Sequence, residues 1–518
     1  MPQTPPTAPA SATAEVSAAR RWASLAVLSA SLLVVTMDLT ILNVALPDLA
    51  ADLRPSATEQ LWIVDVYSLA LAGLLISMSA LADRWGRRLV LLTGFAVFGG
   101  ASAAVLLVDS PAEVIAARAL LGVGGAMIMP TTLSLLRSVF TDPGERATAL
   151  GVWAAVSAIG AAVGPIVGGA LLEHFSWHAA FLVNVPLMLG AILAGALILP
   201  EARDPQPGPW DLVATVLSVG GMVGLVWAIK RFAEETSLLD PLGWASLVLA
   251  VALLVAFVRR CLRAESPLFD VRLFAGRSFT AGVVAALSAM FAMAALLLLL
   301  AQWLQLVEGH APLAAGVHLL PIAGGGLVAS LLAPALAKRI GARVVLSGGL
   351  AVAGLGAVAL GAVPGELTYL TAAVAMALAG AGAGSLAIAS AMIMAGSPPE
   401  RAGSAAAAEE TAYDLGTVLG VAVLGSLAAV VYRSRLDTAD LRAAGLPAEL
   451  EAQAEDSLGG AVAVADAADL PGLATRAAEA FTESLATTGL VGGTLMLAAA
   501  VVVYLTAPAD LDITVQQH

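Results

Sequence analysis

The stretch SALADRWGRRLVL, residues 79–91, returns as PALAKRIGARVVL, residues 334–346, with Ala, Leu, Ala, Arg, Gly, Arg, Val and Leu in the same places. Each copy closes one long apolar run and opens the next through a short turn carrying glycine and arginine. Glycine permits a tight turn between helices, and arginines near helix ends resist passage through a bilayer. One turn used twice in equivalent places implies two homologous bundles, the parallel repeat of many polytopic membrane proteins.

Counting outward from these turns gives fourteen runs: 24–46, 60–82, 89–108, 112–134, 147–172, 178–199, 211–230, 242–259, 279–305, 313–337, 343–363, 367–396, 404–430 and 486–507. About 20 apolar residues cross ~30 Å of hydrocarbon as helix. The composition agrees: the chain is 59% hydrophobic and 12% charged, with mean hydropathy +0.90, where soluble domains carry about 25% charge. The expected fold is an all-α polytopic membrane protein. Runs 1–6 form one six-helix bundle (20–200) and runs 9–14 a second (279–508). Runs 7 and 8, with the link CLRAESPLFDVRLFAGRSF, are inserted between them over 201–278. Residues 1–19, rich in Pro, Ala, Thr and Ser, read as a disordered cytoplasmic tail rather than a cleaved signal, and 509–518 as a second tail. The one long connection, about 434–484, is acidic. Its LPAELEAQAED suits a short amphipathic helix, either on a solvated hairpin or in a lid over the outer mouth.

With the N-terminus inside, 17 of the 25 basic residues fall on the cytoplasmic side and seven outside (Arg54, Lys230, Arg231, Arg433, Arg435, Arg442, Arg476), with Arg118 inside a run. The positive-inside rule therefore places both termini in the cytoplasm. Two lysines against 23 arginines, with heavy Ala and Gly use, suggest a GC-rich bacterial genome, hence a bacterial cytoplasmic membrane. The single cysteine, Cys261, excludes an intrachain disulfide and reads as buried filler.

An ionisable group at the bilayer centre costs about 2.5–3.5 kcal/mol on insertion scales, so each needs a reason. The intramembrane set is Asp38, Asp65, Glu409, Glu410 and Asp414 against Arg118. Asp38 lies ~21 Å from the inner end of its helix and Arg118 ~9 Å from the outer end of its own, similar depths in a ~30 Å core, so a charge pair is feasible. Glu410 and Asp414 are four residues apart on one face, Glu409 shares a face with Tyr413, and Glu409 and Glu410 diverge by about 100°. Carboxylates that can hold either a proton or a cation supply the chemistry of exchange; acids hydrated near a helix mouth are the plainer reading. GAAVGPIVGG (160–169) has the small-xxx-small spacing of close helix packing, and Pro165 can bend its span.

Other chemistries lack their residues. Neither lysine lies in G-x-x-x-x-G-K-[ST], and there is no G-x-S-x-G or H-E-x-x-H. His174 and His178 have zinc-pair spacing beside Glu173, but no third ligand is evident. We therefore expect neither an enzyme nor a metal site, and no cofactor beyond a proton gradient. The expected partners are lipid, protons and a small molecule rather than nucleic acid.

Six motifs in order carry a family resemblance. MDLTILNVALP (37–47), LWIVDVYSLALAG (61–73), ALADRWGRR (80–88), RALLGVGGA (118–126), GAAVGPIVGG and EETAYDLGTVLGVAVLGS (409–426) resemble the QacA-like fourteen-span multidrug:proton antiporters of the major facilitator superfamily. Ser79 stands where glycine is usual and His178 where arginine is usual, and the tenth span lacks the acid that some of these carriers hold. The resemblance implies alternating-access export of cationic amphipathic drugs or antibiotics by a monomer. It implies that Asp38 and Arg118 matter to coupling; from the buried acids we expect proton coupling through Asp38, Arg118 and Glu410, and substrate contact by Asp65, Glu409, Tyr413 and Asp414. It implies a cytoplasmic latch at Asp83, Arg84, Gly86, Arg87 and Arg88, for which basic anchoring is the plainer reading. Gly160, Gly164, Pro165, Gly168 and Gly169 become a tight seam between bundles that prevents leak, and mark antiport. Export of one endogenous natural product is the narrower alternative; inward nutrient symport or a membrane sensor are alternatives of another class.

Overall fold

A computed structural model describes residues 17–203, 210–235, 239–265, 267, 269–362, 367–398, 401–436 and 447–509. Residues 1–16 and 510–518 of the expected tails, and 437–446 of the expected long connection, lie outside them; Ala18 and Ala19, expected in the first tail, belong to the first helix. Among the described residues, fourteen helices are long and apolar enough to span a membrane. In chain order, α1 is Ala18–Leu53, α2 Ala57–Trp85, α3 Arg87–Leu107, α4 Pro111–Val139, α5 Gly144–Leu172, α6 Ala179–Ile198, α7 Leu212–Glu234 and α8 Pro241–Arg263. They continue as α9 Arg277–Val307, α10 Pro312–Ile340, α11 Ala342–Ala362, α12 Tyr369–Ala395 and α13 Ser404–Arg435. Two short helices follow, α14 Ala448–Asp456 and α15 Leu458–Ala468, before the last span, α16 Gly472–Thr506.

The turns between spans follow from local chemistry. α1 ends on Arg54 in the left-handed region, φ 49°, and Pro55 cannot continue the helix. Ser56 then opens α2 with a reciprocal cap: its Oγ accepts from the Glu59 N–H while Glu59 accepts from the Ser56 N–H, satisfying two otherwise orphaned donors. The glycines of the repeated turn, Gly86 and Gly341, both have positive φ, 117° and 89°. That is the conformation glycine supplies without the penalty of a side chain.

α1 to α6 pack as one bundle, α1 against α5, α4 and α6, and α2 and α3 against α4. α9 to α13 with α16 pack as the second, α9 against α12, α13 and α16, and α11 against α12 and α16. The inserted α7 and α8 form a hairpin, and α7 also touches α2 and α13. Only 11% of the apolar window of α8 is buried, so α8 faces lipid.

Named contacts between the bundles lie toward the C-terminal half of α1. Gln305 Nε2 donates to the Val44 carbonyl at 3.1 Å, Gly169 abuts Leu313, Gly316 abuts Pro165, and Gly425 abuts Leu61. Further along the same two helices, Val152 and Ile159 of α5 and Leu327 and Leu331 of α10 are exposed.

Two expectations change. The last span begins at Gly472 rather than 486, so much of the long connection is helix. Its described part is no solvated hairpin: Leu458, Ala461 and Val464 are buried, the Tyr432 hydroxyl donates to the Ala454 carbonyl, and the Ala57 N–H donates to Asp456. α14 and α15 thus lie over the end where α1 gives way to α2, as a lid does. Lys230, counted with the outer loops, is buried inside the helical body.

Candidate functional site

Five helices of the first bundle converge on Asp38. Arg118 of α4 places Nη1 2.6 Å from Asp38 Oδ2, and Asn184 of α6 donates through Nδ2 to Oδ1 at 2.7 Å. The same amide reaches Ser102 Oγ of α3 at 3.3 Å. Arg118 also donates through Nε to the Ile63 carbonyl of α2, and its guanidinium lies 4.4 Å from the centroid of the Tyr67 ring. Tyr67 meets Phe98 edge to face and donates to the Val35 carbonyl at 3.4 Å. Asp38 is 0% exposed and Arg118 1%. A carboxylate taken from water survives as an ion only with such partners. The arrangement has two chemical states: ionised and held by Arg118, or protonated and released from it.

The second cluster is on α13. Glu409 is buried and accepts from the Tyr413 hydroxyl at 2.7 Å and from Ser390 of α12 at 3.1 Å. Glu410, one residue on, is half-buried. Asp414 is buried, and its Oδ2 has no hydrogen-bond partner among the described residues. The helical phase thus divides the acids into one satisfied carboxylate and a Glu410–Asp414 face. α13 packs against α2, the helix that brings Tyr67 and the Ile63 carbonyl to the Asp38 network.

Asp65 is elsewhere. It is 0% exposed, and its Oδ2 lies 2.8 Å from Nζ of Lys230 on α7. Lys230 Nζ is also 4.3 Å from the Trp62 ring centroid. As placed, Asp65 has no face open to a cargo molecule, and the intramembrane charge set gains a second base.

In the turn after α2, Arg87 binds Asp83 Oδ1 through Nε and Nη2 at 3.0 and 2.8 Å and reaches the Ser134 carbonyl at 3.5 Å. Its N–H donates to Ala202. Arg88 donates to the Ala196 carbonyl, and Arg84 is exposed. These bonds stay within the first bundle and its exit. Among the α5 glycines, a side chain at Gly160, Gly164 or Gly168 would strike Leu33 to Ile41 of α1, in the same bundle. Only Gly169, against Pro312 and Leu313, and the Pro165 carbonyl, against Gly316, face the other bundle. His174 lies 3.3 Å from the Ala170 carbonyl and His178 3.2 Å from Ser176, so the two rings engage separate local partners.

Sequence reasoning missed Asn184, Ser102, Tyr67, Ser390 and Lys230. A signal existed for the first: the chain has two asparagines, Asn43 and Asn184, both inside apolar runs.

The model of the Major Facilitator Superfamily matches residues 28–421. The chain is 42% identical over 491 residues to the multidrug efflux pump LfrA of Mycolicibacterium smegmatis, covering 93% of this chain and 96% of that one. It is 38% identical over 450 residues to the methyl viologen resistance protein SmvA of Salmonella typhimurium, covering 86% and 90%. Among solved structures, a bacterial homolog of the human lysosomal transporter Spinster, inward-facing and unoccupied, superposes with TM-score 0.65 at 19% identity, over 95% of this chain and 98% of that one.

Proposed function

This chain belongs to the major facilitator superfamily, and from that premise we propose that it exports cationic amphipathic drugs in exchange for protons by alternating access. It is a multi-pass membrane transporter of small molecules of the drug-efflux kind, not an enzyme. In the proposed setting, a bacterial cytoplasmic membrane with both termini inside, the lidded end faces out. The bundles touch at that end, so the state described opens inward.

The observation that carries the reading is the sealed Asp38–Arg118 pair in one bundle together with, on α13 of the other, a half-buried Glu410 one turn from a buried Asp414 whose Oδ2 has no hydrogen-bond partner among the described residues. Cargo enters from the cytoplasm and sets its positive charge against Glu410 and Asp414, with Glu409 held by Tyr413 as part of the wall. Protons arriving from outside neutralise Glu410 and Asp38, Arg118 is released from its partner, and the bundles rock back. The 38% identical relative is named for resistance to methyl viologen, a dication; two carboxylates on one helix face offer two negative charges. The test uses inside-out vesicles with an acidic lumen. Ethidium uptake driven by the gradient should vanish in Asp38→Asn, and uptake unchanged in that variant would defeat the assignment.

A further inference from the structure

The inserted hairpin brings into the helical body an ammonium group for which the transport reading has no use. Lys230 Nζ sits between two recognition elements, the Asp65 carboxylate at 2.8 Å and the face of Trp62 at 4.3 Å. An anion on one side and an indole face on the other are what bind an organic ammonium ion. Asp65 and Lys230 are buried, and Trp62 packs against a buried apolar cluster of Leu69 and Ala72 of α2, Met222 and Val226 of α7, and Val418 and Ala422 of α13. Neither Asp65 oxygen makes an aligned hydrogen bond among the described residues, so the carboxylate depends on the Lys230 charge alone.

We propose that Asp65 and Trp62 form an alkylammonium site that Lys230 fills from within the chain. The tethered cation closes Asp65 to cargo and to proton exchange and clasps α7 onto the first bundle. Recognition of cargo charge then falls to the α13 acids. Lys230 is a specificity-determining residue by occupation, and its helix is one of the two spans inserted between the bundles.

The site is tested on the full chain, purified in detergent and reconstituted. Lys230→Ala leaves a void of the shape of a short alkylamine. Its melting temperature should fall, and n-propylammonium chloride should raise it in a saturable way that equal sodium chloride does not. Wild type and the double variant Asp65→Asn, Lys230→Ala should show no such rise. A folded Lys230→Ala protein indifferent to n-propylammonium would overturn the site; this arm does not depend on the transport reading. In vesicles, Asp65→Asn, Lys230→Met should keep gradient-driven uptake with the wild-type pH profile. A double variant that melts like wild type yet has lost that uptake would overturn the closure of Asp65. Should Lys230→Ala not survive purification, this second comparison decides.

Discussion

Arg118 and Asp38 lie 80 residues apart in the chain and 2.6 Å apart in space, neither more than 1% exposed. Breaking a buried pair by neutralising one partner costs about 3–5 kcal/mol, because the other charge is left uncompensated. Asp38→Asn should therefore lower the melting temperature as well as abolish gradient-driven uptake. Adding Arg118→Gln should recover much of the melting temperature without restoring uptake. Recovery of both would mean that the pair serves only the fold.

The α5 glycines should separate into two phenotypes. A side chain at Gly164 would meet Thr40 Oγ1 and the Met37 carbonyl, so Gly164→Val should destabilise the first bundle, read as a lower melting temperature. A side chain at Gly169 would meet the Pro312–Leu313 backbone of the other bundle. Gly169→Val should instead hold the closed end ajar, read as weaker disulfide cross-linking between Val44→Cys and Gln305→Cys. Overpacking of this kind costs about 1–3 kcal/mol.

Neighbouring acids on α13 should behave differently. Glu409 is satisfied by Tyr413 and Ser390, and leaving a buried polar group without one such partner costs about 1–3 kcal/mol. Tyr413→Phe should lower the melting temperature and retain part of the uptake. Glu410→Gln should leave melting nearly unchanged and abolish uptake of cationic cargo.

The lid should respond to pH. Burial pushes the Asp456 carboxyl above the usual carboxylate range, and Glu59 adds to this, against the opposing Ala57 N–H and Arg433. The docked lid therefore binds this proton more tightly than the undocked one. Docking is favoured in acid and weakens as pH rises through the docked-state value. Asp456→Asn should remove that dependence, measured as the distance between spin labels at Arg54 and Glu449.

The spans were legible because hydropathy and helix length are local properties; their partners are not. The run at 211–230 ended at the charge of Lys230, yet the helix continues to Glu234 and its lysine is sealed by a wall that α2 supplies. Insertion cost does not single out Asn184, since an amide carries no charge to count. The last span was cut short because Arg476, Glu479 and Glu483 depress hydropathy where the helix still runs, with Glu483 paired to Arg435 at 3.0 Å. Glycine spacing foretold close approach on α5 but not that most of it is to α1. For the candidate site, depth arithmetic made Asp38 and Arg118 a feasible couple, and helix phase separated Glu409 from Glu410 and Asp414.

α8 leans on α7 and on little else, so the covalent tether joining the two halves of the molecule crosses hydrocarbon twice between its connecting segments. α7 is paired to α2 through Lys230 and to α13 through Arg433, which donates to the Ala233 carbonyl, so a rotation of the halves that keeps the Lys230 pair sweeps the hairpin sideways with the first bundle. Acyl chains resist that sweep as viscous drag. Turnover should then slow in stiffer, more ordered bilayers even where every proton and cargo equilibrium is unchanged.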